Sequence, residues 1–198
     1  MRNSKIKFRI RGKLLLLLIF FSLKAIAQRD SSGVYMSADD FIKHKLTYAI
    51  NCNTEKHKIK AHDFFQQPCF VIIHRDTTTT LNKKDVFGVR LCDNRTIRFY
   101  DNREFPIINP DERILIYKIL TVNSPKTYPK PNEYFFSKDA YSSPQPLTIE
   151  KLRAAFPENK NFCRLLEENF TSDDELLKYS GHFKMYLINV LFKKSLQQ

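Results

Sequence analysis

Glycine is scarce in this chain, four residues in 198. A phosphate-cradling loop needs several glycines so that backbone N–H groups can close on the ligand, and nucleotide motifs of that kind are excluded. Gly-x-Ser-x-Gly, HExxH and Ser-x-x-Lys are also missing, which removes familiar signatures of an activated serine or a zinc hydrolase. There is no CxxC and no Cys/His pair at metal-ligand spacing, so no zinc site is expected. No apolar run reaches the ~20 residues that a membrane-spanning helix requires. Tryptophan is absent, yet 17 Phe and 9 Tyr supply ample apolar surface for a core, and the chain is too apolar to be disordered throughout.

Acidic residues are absent from residues 1–27, and seven of the 33 Lys and Arg lie there. That stretch inflates the formal charge of +12; beyond it 26 basic residues face 21 acids, a net +5. A surplus of that size is ordinary solubility for a small domain, so no nucleic-acid partner is expected. The same stretch reads as a cleavable signal peptide: a basic start, the apolar run Leu14 to Leu23, then Ala25-Ile26-Ala27 with small residues where a signal peptidase reads. Cleavage after Ala27 would leave Gln28 first. Membrane contact is then expected only through this segment before cleavage, and the protein is expected to be periplasmic or secreted. The remaining cysteines, Cys52, Cys69, Cys92 and Cys163, form an even set in an oxidising compartment. Four cysteines allow three pairings. Cys52–Cys92 is the favoured one, since both residues end expected strands.

Residues 28–121 read as mainly β. From Val86 to Leu120 the pattern is a meander of four short strands. Asp93-Asn94 and Asp101-Asn102 are each a plausible two-residue turn, because Asp and Asn tolerate left-handed backbone angles. Phe87, Val89 and Leu91 share one face; Ile97 and Phe99 alternate with Thr96 and Arg98. Ile114 to Tyr117 is a continuous apolar run, as in a strand covered on both faces. Upstream, residues 28–36 look polar and frayed. Ser37 caps a short helix over Ala38 to Lys43, and strands are expected at Leu46–Cys52, His57–Lys60 and Phe70–His74. One helical turn at Ala61–Gln67 would present Phe64 and Phe65, and Thr77 to Thr80 follow as a polar edge.

Residues 122–146 read as a Pro-rich connection pinned by Tyr134, Phe135 and Phe136, with an added edge strand as the alternative. Residues 147–198 read as helical. Thr148 caps a helix with Ile149, Leu152 and Phe156 on one stripe, ended by Pro157. Phe162, Leu165, Leu166 and Phe170 mark a second. Ser172 and Glu175 suggest a capping box. Phe183, Tyr186, Leu187, Val190 and Leu191 mark a last helix, buried on the sheet or meeting a partner, with strand as the alternative.

Candidate chemistry is sparse. His57 and His62 share a basic stretch but lack an acid or thiol to complete a metal shell, so neither metal nor cofactor is expected. Arg90, Arg95, Arg98 and Arg103, interleaved with aromatics, are candidates to contact an anionic lipid or glycan; a solvated sheet face explains the same residues. Asn94 and Asn169 fit the N-glycosylation pattern, and Asp76-Thr77-Thr78 resembles an O-glycosylation acceptor centred on Thr77.

The runs Gly33 to Phe65 (GVYMSADDFIKHKLTYAINCNTEKHKIKAHDFF), Val86 to Asn102 (VFGVRLCDNRTIRFYDN), Pro146 to Phe162 (PLTIEKLRAAFPENKNF) and His182 to Asn189 (HFKMYLIN) resemble small exported proteins of Bacteroidota. The resemblance implies a periplasmic or secreted protein and no particular activity. Against it Cys69 and Cys163 look like local features, which leaves both out of the favoured disulfide. The expectation is therefore an α+β fold, a mainly antiparallel sheet with carboxy-terminal helices packed on it, behind a signal peptide. The expected function is non-catalytic accessory or binding work on an envelope protein or glycan. The alternatives are a small cell-envelope hydrolase and an envelope-surface protein binding anionic lipid or glycan.

Overall fold

The computed structural model describes residues 31–55, 57–60, 67–74, 77–119 and 133–197. The expected signal peptide, most of the helical turn with Phe64 and Phe65, His62 and Asp76 lie outside the described residues.

The fold is α+β. An eight-stranded antiparallel sheet is built from β1 (Ser31–Tyr35), β2 (Thr47–Asn51), β6 (Gly88–Arg90), β7 (Thr96–Tyr100), β8 (Arg103–Ile107), β9 (Leu115–Ile119), β10 (Glu133–Ser137) and β11 (Gln145–Pro146), in the order β11-β10-β9-β8-β7-β6-β1-β2. A second sheet is formed by β3 (His57–Lys60), β4 (Cys69–His74) and β5 (Thr77–Asn82), with β4 between its two partners. The helices are α1 (Ala38–Ile42), α2 (Ile149–Ala155), α3 (Lys160–Asn169) and α4 (Leu187–Ser195); a short hairpin of β12 (Tyr179–Ser180) and β13 (Met185–Tyr186) precedes the last.

The expected meander is present, and its two turns differ. Asp101 and Asn102 both take positive φ, 50° and 59°, between the paired Tyr100 and Arg103. This is the two-residue turn whose twist matches the strands. At the other turn only Asn94 has positive φ, and Leu91 N–H donates to the Arg95 carbonyl. The loop is therefore three residues, Cys92 to Asn94, one longer than expected. Strands β6 and β7 also approach so closely that a Cβ on Gly88 would stand 2.1 Å from the Ile97 carbonyl oxygen. Gly88 is glycine because no side chain fits there.

One face of the large sheet carries both of the thick layers. Val34, Val89, Ile97 and Phe99 pack with Phe70 and Ile72 of the small sheet; the Phe70 and Phe99 rings are 4.9 Å apart. Further along that face Ile114, Ile116 and Phe136 pack with Leu152, Phe162, Leu165, Leu166, Ile188 and Leu191. Between the two layers Lys83, fully buried, sets its Nζ 2.7 Å from Glu104 Oε1 and 5.5 Å from the centre of the Phe99 ring. Among the described residues the opposite face is covered by α1 and the segment after β10: Tyr35, Phe87, Phe105, Ile107, Leu115 and Tyr117 meet Phe41 and Ala140 there. Ile114 to Tyr117 is thus apolar throughout because its alternate residues enter two different cores.

Other sequence expectations need correction. Residues 31–35 are not frayed: β1 lies between β6 and β2 and is mostly buried, its polar Ser32 Oγ satisfied by the Arg90 carbonyl at 2.8 Å. The Pro-rich connection is not a loop throughout, since β10 is an interior strand paired over its whole length with β9. Pro144 and Pro146 follow that strand, and residues 122–132 of the connection, with Pro125, Pro129 and Pro131, lie outside the described residues. The final apolar segment is split: residues 179–186 form a hairpin, and the helix starts only at Leu187. The helix caps follow expectation at Ser37, accepting from Asp40 N–H, and at Thr148, accepting from Lys151 N–H. At the expected capping box the Ser172 side chain caps nothing; Glu175 instead accepts from the Thr171 N–H and hydroxyl.

Candidate functional site

The thinly covered face holds a cleft of about 280 Å³, lined by Phe41, Ile42, His44, the turn Pro110 to Arg113, Leu115, Asp139 and Ala140. Each wall is set by a local device. In the turn from β8 to β9 the buried Asn109 folds back, accepting from Ile116 N–H at 2.6 Å and donating to the Ile114 carbonyl at 2.8 Å. From the other side Asn189 of α4 does the same to a single residue: its Oδ1 accepts from Ile114 N–H at 2.8 Å and its Nδ2 donates to the Ile114 carbonyl at 2.9 Å. Two side-chain amides thus take the place of strand partners for buried backbone groups at this end of β9.

The opposite wall is a turn organised by Asp139. Its Oδ1 accepts from Tyr141 N–H, Ser142 N–H and the Ser142 hydroxyl at 3.0, 2.8 and 2.6 Å. Tyr141 then donates its hydroxyl to Asp39 of α1, and Tyr100 donates to Ser143 at 2.8 Å. Those two phenols strap the segment across the sheet. Burial alone would raise the Asp139 carboxyl, but hydrogen bonds from Ser142 and Tyr141 and the charge of Arg113 outweigh it and hold the group below its usual value. Burial raises Glu112 on the facing turn, against the donors Asn109, Tyr186 N–H and Asn189. The Tyr141 phenol is raised by its bond to Asp39.

Beneath this cover lies Arg98, only 4% exposed. One guanidinium nitrogen donates to the Tyr117 hydroxyl at 2.8 Å and lies 3.3 Å from Ser137 Oγ. The group sits over the Phe87 and Tyr100 rings, at 5.1 and 5.7 Å from their centres. Among the described residues its Nε has no hydrogen-bond partner and no carboxylate pairs with it. Ring faces and neutral hydroxyls take the place of a counterion. Burial raises the Tyr117 phenol, and the Arg98 charge works against that rise.

The four arginines considered as one anionic contact are therefore not one surface. Arg98 is buried, which removes it from any outer contact. Arg95 lies in the three-residue turn, its Nε 2.7 Å from Asp93 Oδ2. Arg103 lies over the Phe105 and Phe135 rings. Arg90 donates to Asn94 Oδ1 at 3.2 Å and hydrogen-bonds the Tyr35 phenol. Thr77 is exposed at the start of the edge strand β5. Cys52 and Cys92 form a disulfide, Cα atoms 5.6 Å apart, that ties the end of β2 to the turn after β6; Cys69 and Cys163 are free thiols. Among the described residues no group of three His, Cys, Asp or Glu is arranged to hold a metal, and no helix is long and apolar enough to cross a membrane.

Sequence reasoning missed Asn109, Asn189, Asp139 and Tyr141. The one available signal was Asn189, a lone amide within an otherwise apolar helical stripe. Compared with known proteins, the chain matches no family model, no curated protein and no solved structure.

Proposed function

We propose that this is an exported, non-catalytic accessory protein that holds a partner protein of the cell envelope at the cleft between α1, the β8–β9 turn and the Asp139 turn. The observation that carries this reading is the make-up of the cleft. Its floor is apolar, from Phe41, Leu115 and Ala140, and its lip is Ile42, which is 50% exposed. At about 280 Å³ it lies at the small end of ligand pockets, which run from about 300 Å³ upward. That volume suits an anchoring side chain from a partner better than a whole cofactor. The carboxylate best placed for chemistry, Asp139, already accepts three hydrogen bonds from its own turn, so its role is to shape the wall. An apolar floor also favours a protein partner over a glycan. Export is supported by the basic and apolar start of the sequence, by the resemblance to exported proteins, and by a disulfide that an oxidising compartment would preserve.

The test uses the protein recovered after export, immobilised and exposed to extract of the host envelope. The expected result is a partner captured by the native protein and lost with Ile42→Asp, an exposed substitution that leaves the fold intact. Capture unchanged by Ile42→Asp would refute the cleft as the binding site. Cell fractionation with sequencing of the amino terminus checks export; a cytoplasmic chain that keeps residues 1–27 would refute it.

A further inference from the structure

We propose that the β12–β13 hairpin is a second contact site, and that its occupant is an anionic lipid surface. The hairpin presents two of the most exposed large apolar side chains among the described residues, Tyr179 and Phe183, each 57% exposed. Its tip stands clear of the protein: a Cβ added at Gly181 would meet nothing within 4 Å. The Phe183 ring is braced edge-on by His182 at 4.7 Å, and Tyr179 by Tyr186 at 5.5 Å. These contacts stiffen the aromatics without covering them.

Charge identifies the occupant. After Glu175 the sequence contains no Asp or Glu, while Lys178, Lys184, Lys193 and Lys194 all follow it. All four lysines are exposed. Lys178 pairs with Glu175; Lys184, at the tip beside Phe183, has no acid partner among the described residues. Exposed aromatics beside Lys184, a tip lysine with no acid partner among the described residues, are the combination that enters the headgroup layer, where rings bury their apolar part and the lysine meets anionic headgroups. A protein partner would more often present apolar surface with mixed charge at its rim. The base of the hairpin touches the cleft wall, Tyr186 N–H donating to Glu112 at 3.2 Å, but the exposed tip with Phe183 and Lys184 does not line the cleft.

The chain has no tryptophan, so Phe183→Trp places a single reporter at the tip. Protein purified after export is titrated with vesicles of phosphatidylcholine alone, and with vesicles of phosphatidylcholine and phosphatidylglycerol in equal parts. The expected result is a blue shift of emission with the anionic vesicles only, reversed by salt. Sedimentation with the same vesicles should show Lys184→Gln binding about fivefold more weakly and Phe183→Ala about tenfold more weakly. Both positions are exposed, and unchanged far-UV circular dichroism confirms that the variants fold. Tyr141→Trp, on the opposite face of the sheet, should not shift. The proposal is overturned by no shift at Phe183→Trp, by an equal shift with neutral vesicles, by an equal shift at Tyr141→Trp, or by a response to soluble glycan with none to vesicles.

Discussion

Replacing Asn189 with aspartate changes one consequential group, the amide nitrogen that donates to the Ile114 carbonyl and toward Glu112. Asn189 is 1% exposed and Ile114 is fully buried, so water cannot step in. In the Asn189→Asp variant one oxygen can still accept from Ile114 N–H, but the other faces a carbonyl oxygen at the 2.9 Å now spanned by a hydrogen bond. The ionised side chain would be buried and repelled, with Glu112 beside it as well. Only protonation restores both bonds. Taking a free aspartate at pKa about 3.9, holding that proton costs about 4 kcal/mol at pH 7 and about 1.5 kcal/mol at pH 5. The folded state then keeps its proton above the unfolded pKa. Relative to the native protein the variant should be near parity below about pH 4 and should lose stability as pH rises through the folded pKa. Asn189→Ala behaves differently: it strands the Ile114 N–H and leaves a small void, for a loss of about 2–4 kcal/mol at every pH.

Guanidinium unfolding followed by far-UV circular dichroism, across about pH 4.5 to pH 8, separates the two. A difference for Asn189→Asp that does not change with pH would refute the reasoning, because it would mean that the amide nitrogen does not matter to Ile114. Repeating the series with Glu112→Gln removes the neighbour's own titration.

Other consequences are simpler to state. Joint replacement of Cys52 and Cys92 by serine opens a loop with sequence separation 40 and should cost up to about 4 kcal/mol, read from the denaturation midpoint. In the unreduced exported protein a thiol label should reach Cys69 and Cys163 and neither Cys52 nor Cys92. Lys83→Met alone breaks the buried pair with Glu104 and should cost about 3–5 kcal/mol, while Lys83→Met with Glu104→Leu should recover most of it, because a buried pair is replaced more cheaply than broken; thermal melts decide. Burial makes the folded state hold the Glu112 proton more tightly than the unfolded chain. Stability should therefore fall as pH rises from the ordinary glutamate range through the folded pKa, and Glu112→Gln should flatten that fall in the thermal midpoint.

The apolar periodicities made most of the sheet legible, because alternation reports which side chains a strand buries. They failed where burial is achieved without alternation of polarity. Thr96 and Arg98 alternate with Ile97 and Phe99 and so look solvated, yet both are buried. Their face is covered by residues far away in sequence, α1 and the segment after β10, and no local pattern announces that cover. Residues 31–35 looked too polar for an interior strand, but Ser32 is satisfied by the Arg90 carbonyl and Gly33 sits against the backbone of β2. Prolines near Tyr134 suggested a loop, although they stand outside β10 itself. The cleft was illegible for a related reason: Asn109, Asp139 and Asn189 matter through the backbone groups that they bind, and amide or carboxylate capping leaves almost no trace in composition.

The unequal cover of the two sheet faces accounts for where binding can occur. On one face the small sheet and the helices form thick layers, so its apolar residues are fully used. On the other, among the described residues, a five-residue helix and one strapped segment cover the middle of the same sheet. That cover is too thin for a purely apolar core, which explains why an arginine fills the centre with its charge spread over Phe87 and Tyr100. It also ends short of the β8–β9 turn, and the gap is the cleft beside Ile42. Thickening the cover should therefore close the site at a modest cost to the packing beneath it. Ala140→Leu projects a larger side chain toward Phe41 and Leu115. It should abolish partner capture while shifting the unfolding midpoint far less than Asn189→Ala. Equal losses in both measurements would mean that the cleft belongs to the core rather than to a binding surface.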